Sequence, residues 1–261
     1  MVEPVPPGAA EDETPDPDER AEPDAKRRRK PKKQRPFWVE LPILIVVALV
    51  LAFVFQQFLG RVYTIPSGSM ETTLHGCTGC YGDKVLVDKI TYDFTDPAPG
   101  DVVVFKGPET WVGTEASGQR SDNAVVRFFQ NIGSVFGLAP PDEDDFVKRI
   151  IATGGQTVEC CDAQNRVLVD GEPLDEPYIH WEDPADRQQD SFPPVTVPDG
   201  YVWVMGDNRN NSCDSRCQGH GGVAGAVPVD NIIGKARVIV LPPGRWGGVS
   251  DHDPQARRTV H

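Results

Sequence analysis

Phe146-Val147-Lys148-Arg149-Ile150-Ile151 sets two bases among four β-branched or aromatic residues. Read as a strand, its side chains alternate between two faces. Lys148 then shares a face with Phe146 and Ile150, and Arg149 turns to the other. The same texture recurs at Val85-Leu86-Val87, Asp101-Val102-Val103-Val104-Phe105, Arg166-Val167-Leu168-Val169, Tyr201-Val202-Trp203-Val204-Met205 and Arg237-Val238-Ile239-Val240-Leu241. Each run is bounded by Gly, Pro, Asp or Asn, which favour turns. Residues 61–250 are therefore expected to form a mostly β domain. One stretch differs. Over residues 125–136 the apolar positions recur at i, i+3 and i+4, which predicts an amphipathic helix, packed on the core or resting on a lipid surface. Residues 107–122 and 182–194 are expected to be loops, and 251–261 a flexible C-terminus. There is no internal repeat.

The N-terminal part has another character. Residues 1–36 hold eight prolines and almost no aliphatics, with nine acids and one base in 1–25 and eight bases in 26–35. Such a segment cannot bury enough apolar surface to offset its ordering entropy, so a disordered tail is expected. Leu41 to Leu59 then runs 19 residues without a formal charge. As a helix it would span about 28 Å, close to the roughly 30 Å hydrocarbon core. Pro42 is tolerable near a helix start; Gln56 and Gln57 are its polar exceptions. Phe37 and Trp38 lie at one edge and Tyr63 beyond the other, where amphipathic rings favour the interface. A membrane anchor over residues 37–60 is expected. The eight bases before it orient the N-terminus to the cytoplasm and the domain outside. A cleavable signal peptide would need a shorter charged region and an Ala-x-Ala site just after the apolar stretch, where the chain instead runs Phe58-Leu59-Gly60-Arg61-Val62-Tyr63.

The formal charge is −13 over 261 residues, and the basic block is local, so the chain as a whole is not a nucleic-acid binder. All six cysteines (Cys77, Cys80, Cys160, Cys161, Cys213, Cys217) follow residue 60. An even count on one side of a membrane points to an oxidising compartment and disulfides. Zinc at Cys77-x-x-Cys80 is the sharper alternative, disfavoured because adjacent Cys160 and Cys161 rarely both reach one metal, and free thiols are the other. On a strand those two point to opposite faces, so they are not expected to pair with each other. Cys213 and Cys217 would be about 13 Å apart in an extended chain, so their pairing requires a turn.

For chemistry, the chain has no dinucleotide or phosphate loop and no His-x-x-x-His. Its five histidines (His75, His180, His220, His252, His261) stand in polar surroundings without a serine-nucleophile motif. Pro66-Ser67-Gly68-Ser69-Met70, between the apolar Val62-Tyr63-Thr64-Ile65 and a run ending at Leu74, is different. A serine on such a turn can present its Oγ, with backbone N–H groups aimed at an oxyanion. The hydroxyl needs a base, and without a histidine the remaining route is lysine. Five lysines follow the apolar stretch: Lys84, Lys89, Lys106, Lys148 and Lys235. A lysine acts as a base only when neutral, which requires removal from water. Between Phe146 and Ile150, Lys148 has the most apolar setting of the five; a snorkelling surface lysine is the competing reading.

Several segments together resemble the type I bacterial signal peptidases. Ile65-Pro66-Ser67-Gly68-Ser69-Met70-Glu71-Thr72-Thr73-Leu74 is similar to the family's serine box, and Gly82-Asp83-Lys84-Val85-Leu86-Val87-Asp88-Lys89 to the strand after it. Pro99 to Phe105 and Val147 to Ile151 resemble the paired strand and lysine boxes, and Gly206 to Arg216 the final box. The extra cysteines and the acidic, proline-rich tail resemble actinobacterial members. The resemblance implies Ser69 as nucleophile and Lys148 as general base. It implies that the Ser67 hydroxyl and the Ser69 N–H stabilise the oxyanion, that Ser212 orients the lysine, and that Asp214 and Arg216 brace the site. Ser212, Asp214 and Arg216 would also share one face of an extended segment. Thr72 stands where the family usually has proline, and Ala152-Thr153-Gly154-Gly155-Gln156 replaces Gly-x-Pro-Gly-Asp. Both departures lie beside the expected catalytic residues.

What this implies is a single-pass membrane serine endopeptidase that removes signal peptides from exported preproteins at the plasma membrane, as a monomer, with no cofactor or metal. Its substrate would lie extended along a strand edge. The rivals are a maturation peptidase with a narrow task and a non-enzymatic membrane-anchored β module or lapsed paralogue.

Overall fold

The run around Lys148 lies in the interior of a sheet. The computed structural model describes residues 37–54, 60–77, 82–111 and 145–256. In chain order the described elements are helix α1 (Phe37–Val54), strands β1 (Gly60–Thr64) and β2 (Lys84–Asp88), a short helix α2 (Thr91–Phe94), then β3 (Val102–Lys106) and β4 (Asp145–Thr153). They continue with β5 (Thr157–Cys160), β6 (Val167–Val169), β7 (Glu172–Pro173), β8 (Phe192–Thr196), β9 (Tyr201–Met205), β10 (Val227–Pro228), β11 (Ile232–Leu241) and β12 (Gly247–Gly248). One sheet has the order β1-β2-β11-β3-β4-β9-β10, with β12 on β11, and a second has β7-β6-β5-β8. Described strands pair antiparallel throughout. The domain is thus mostly β, and each of the six expected runs supplies a strand, with Asp101 and Arg166 falling just before theirs.

Two turns carry the chain between the sheets. β4 leads into β5 through Gly154-Gly155-Gln156, and β8 leads into β9 through residues 197–200. Gly155 has φ +85°, which a side chain would resist. Gln156 Oε1 accepts the Thr153 N–H at 2.9 Å. The turn therefore closes without the proline and aspartate of the family pattern. Ile151, Val158, Val195, Trp203 and Met205 form one apolar cluster where the sheets meet. A second unites Val103, Phe105, Trp111, Phe146, Ile150 and Val204, and a third Ile65, Met70, Leu74, Val85, Val102 and Ile239.

Some expectations are corrected. β8 begins inside the segment read as a loop, 182–194. Pro193 and Pro194 argue against a strand, but β8 is the edge of its sheet, where a missing N–H donor is tolerated. β4 is buried on both faces from Lys148 to Ala152, so Arg149 turns away from Lys148 without reaching water. Cys160 ends β5 and Cys161 lies beyond it, so strand alternation does not govern the pair, and the structure sets their sulfurs against each other. Cys213 and Cys217 face each other across a turn, with Cα atoms 5.3 Å apart, within disulfide reach. Among the described residues no helix is long and apolar enough to cross a membrane. α1 is described as far as Val54, and residues 55–59 of the expected span lie outside the described residues, as do the tail 1–36 and the helix expected over 125–136.

Candidate active site

After β1 the chain buries Ile65, makes a tight 3-10 turn over Gly68–Met70, and then buries Met70 and Leu74. Full burial of such a side chain contributes about 1.5–3 kcal/mol. The turn is thus pinned to the third cluster on both sides of Ser69. The Leu74 N–H donates to the Met70 carbonyl at 2.9 Å, and the Ile65 N–H to the Asp83 carbonyl at 2.8 Å. Asp83 is itself held by Arg245, whose Nε lies 2.9 Å from Oδ1.

Lys148 reaches Ser69 from the interior sheet. It stands opposite Val103 in the β3–β4 register and is fully buried, while Ser69 keeps 3% of its surface exposed. Lys148 Nζ lies 2.8 Å from Ser69 Oγ, and Ser67 Oγ lies 3.1 Å from Ser69 Oγ. Serine loop and lysine strand, 79 residues apart, are thereby brought into hydrogen-bond contact.

Ser212, Asp214 and Arg216 also come together, by another route than the one expected. The segment is not extended. Cys217 and Gln218 N–H groups fold back onto the Asp214 carbonyl at 2.9 and 2.8 Å, and side chains two apart converge on the Asp214 carboxylate. That group accepts from Ser212 Oγ (2.8 Å), Gly206 N–H (2.8 Å), and Arg216 Nε and Nη2 (2.8 Å each). Burial alone would raise the Asp214 carboxyl; the Arg216 charge and these hydrogen bonds outweigh it and hold it below the usual carboxylate range. Gly206 joins this hub to the nucleophile. A Cβ there would fall 2.2 Å from Ser212 Oγ and 2.5 Å from the Ser69 carbonyl oxygen. Only glycine allows both groups to approach so closely.

Three contributions escaped sequence reasoning. Arg149, read only as facing away from Lys148, makes a buried two-point pair with Asp207 (Nε–Oδ1 2.9 Å, Nη2–Oδ2 2.7 Å). Its Nη1 donates to the Gly100 and Ser250 carbonyls at 2.8 Å each, and the guanidinium lies 3.9 Å from the Tyr178 ring centre. Thr73 Oγ1 donates to Asp207 Oδ2 at 2.5 Å, so the pair ties the lysine strand to the serine segment. Arg209, buried against Glu176, holds the Gly206 carbonyl through Nε at 3.1 Å. Asn208 bonds twice to the serine turn. The adjacency of Arg149 to the lysine and the Asp-Asn-Arg run were visible signals, but their partners are far apart in sequence.

A buried serine hydroxyl against a buried lysine nitrogen, flanked by a second hydroxyl, is suited to acyl transfer. Among the described residues no group of His, Cys, Asp and Glu could hold a metal ion.

The family described as signal peptidase, peptidase S26 matches residues 38–241. The chain is 49% identical over 247 residues to the probable signal peptidase I of Mycobacterium leprae, covering 86% of this chain and 83% of that one. It is 47% identical over 263 residues to the signal peptidase I of Mycobacterium tuberculosis, covering 95% and 87%. With the probable signal peptidase I-1 of a Synechocystis species it shares 39% over 218 residues, covering 83% and 89%. The chain therefore belongs to the signal peptidase, peptidase S26 family, and is a serine endopeptidase whose likeness is to actinobacterial members.

Proposed function

We propose that this endopeptidase cleaves N-terminal signal peptides from exported preproteins through a Ser69–Lys148 dyad and an acyl-enzyme. The observation that carries the reading is the 2.8 Å contact between Lys148 Nζ and Ser69 Oγ with both groups buried. When the amine is neutral, the Ser69 hydroxyl donates to it. Oγ attacks the scissile carbonyl while Nζ takes its proton, and the oxyanion is held by the Ser69 N–H and the Ser67 hydroxyl, 3.1 Å from Ser69 Oγ. Collapse breaks the C–N bond, and the lysine returns its proton to the leaving amine. The Lys148 amine, neutral again, then takes a proton from a water molecule as it attacks the ester carbonyl; collapse breaks the bond to Ser69 Oγ, the lysine returns that proton to Oγ, and the signal peptide leaves. Ser212 orients the lysine, with Asp214 and Arg216 fixing Ser212 in turn.

The site works at a bilayer surface. Residues 1–36 form a cytoplasmic tail, 37–60 a membrane anchor, 61–250 the external catalytic domain and 251–261 the C-terminus. What supports the anchor is the uncharged stretch from Leu41 to Leu59 after eight bases. Ser69 is ten residues past Leu59, so even an extended chain keeps it within about 35 Å of the bilayer edge, where a signal peptide emerges. The substrate adds to a strand edge, and the enzyme acts as a monomer. Cleavage of a purified preprotein by wild type and by Ser69→Ala tests the reading: release of the signal peptide by wild type alone supports it, and equal release by both contradicts it.

A further inference from the structure

Asn208 holds both peptide groups that flank the nucleophile. Its side-chain Nδ2 donates to the Gly68 carbonyl at 3.1 Å, and its backbone N–H donates to the Ser69 carbonyl at 3.0 Å. The Gly68 carbonyl and the Ser69 N–H belong to one planar trans peptide group and point in opposite directions. Fixing Gly68 O therefore fixes the direction of the Ser69 N–H. The second bond fixes the next peptide plane, so one residue sets the backbone on both sides of Ser69.

The Glu71 N–H also reaches Gly68 O, at 3.2 Å, but it belongs to the same turn and moves with it. Asn208 belongs to a separate, anchored segment. The His180 N–H donates to the Asp207 carbonyl at 2.8 Å, and the Arg209 N–H to the His180 carbonyl at 3.3 Å. The other half of the Asn208 amide argues against a packing role. The residue is 2% exposed, and its Oδ1 is buried with no hydrogen-bond partner among the described residues. Burying an unpaired carbonyl costs stability, so packing alone would favour an apolar residue of this size.

We infer that Asn208 is a positioning residue for the oxyanion hole, whose side-chain amide aims the Ser69 N–H at the charge that develops on the scissile carbonyl. This rests on the Ser69–Lys148 reading above. An oxyanion exists only in the transition state and the intermediate it leads to, so the loss should fall on kcat and leave KM alone. Deleting one oxyanion donor lowers kcat by 10²–10³ in a well-studied serine protease. Here the donor is misaimed rather than deleted, so a loss of about 10–100-fold is expected.

Steady-state cleavage of a preprotein by the full chain in detergent tests this with Asn208→Leu, Ser67→Ala, their double variant and Ser69→Ala. Asn208→Leu should lose kcat by that factor, hold KM within about twofold, and leave the acid limb of the pH profile where it is in wild type. The double variant should lose less than the product of the single losses, because both residues serve one hole. If Asn208→Leu melts below the assay temperature, the near-isosteric Asn208→Asp, which lacks the Nδ2 donor at neutral pH, carries the same expectation. A folded variant with wild-type kcat, a loss confined to KM, or a displaced acid limb would overturn the inference. Cleavage by Ser69→Ala would instead overturn the dyad on which it rests.

Discussion

Asp214→Ala should destabilise the catalytic domain more than its single carboxylate suggests. Five donor contacts reach that group, three of them from Arg216: Nε and Nη2 at 2.8 Å and the backbone N–H at 3.2 Å. Asp214 is fully buried, and the Arg216 side chain is 8% exposed. Removing the carboxylate strands a nearly buried guanidinium, and breaking such a pair costs about 3–5 kcal/mol. For a domain of this size 1 kcal/mol moves Tm by about 2–4 °C, so a drop of about 6–20 °C is expected at neutral pH. Circular dichroism melts of the detergent-solubilised chain measure it. Asp214→Ala combined with Arg216→Met, which removes both charges, should melt above Asp214→Ala alone. The pH dependence has a definite sign. The folded carboxyl is held below its ordinary value of about 4, so its contribution is complete above that pH and is lost as pH falls through the folded value. The Tm gap between wild type and Asp214→Ala should therefore stay constant from pH 8 to pH 5 and narrow only below about pH 4. A variant melting within about 2 °C of wild type at pH 7, or a gap closing between pH 7 and pH 5, would refute the reasoning.

Gly206→Ala would place a methyl 2.2 Å from Ser212 Oγ and 2.5 Å from the Ser69 carbonyl. Since an ångström of misplacement can lower a rate by about 10²-fold, its kcat/KM should fall by about that factor, and unchanged kinetics would contradict the close approach. Peptide mapping without reductant should recover Cys160 bonded to Cys161 and Cys213 to Cys217, whereas crossed pairs would contradict the fold around the Asp214 hub. Protease added to intact spheroplasts should digest residues after 60 and spare the N-terminal tail; the reverse pattern would contradict the topology.

Much of this arrangement is legible in the chain because it is local. The six β-branched runs became strands where short-range alternation and turn residues agree, and the Pro-Ser-Gly-Ser turn lies between two apolar anchors, Ile65 and Leu74, that are buried. Phe146 and Ile150 lead to Lys148 because one strand sets all three side chains. Long-range contacts were harder to read. Asp207 pairs with Arg149 across 58 residues, and Glu176 meets Arg209 across 33. No local periodicity signals either contact. Ser212, Asp214 and Arg216 were grouped by strand alternation, yet a turn brings them together. Cys160 and Cys161 come together for a related reason: alternation applies only inside a strand, and β5 ends between them. β8 was hidden by Pro193 and Pro194, whose cost depends on whether the strand is an edge, which is a property of the sheet.

Preprotein cleavage by Lys148→Met tests the central claim most directly. The amine is fully buried 2.8 Å from Ser69 Oγ, and methionine fills a similar volume with no group able to accept a proton. A thermal melt should find the variant folded, since an apolar side chain in an apolar site requires no partner. Its kcat/KM should fall by on the order of 10⁴-fold or more, as when either member of a nucleophile–base unit is lost. Lys148→Met retaining cleavage within about tenfold of wild type would mean that the lysine does not carry the proton, and the Ser69–Lys148 mechanism would be wrong.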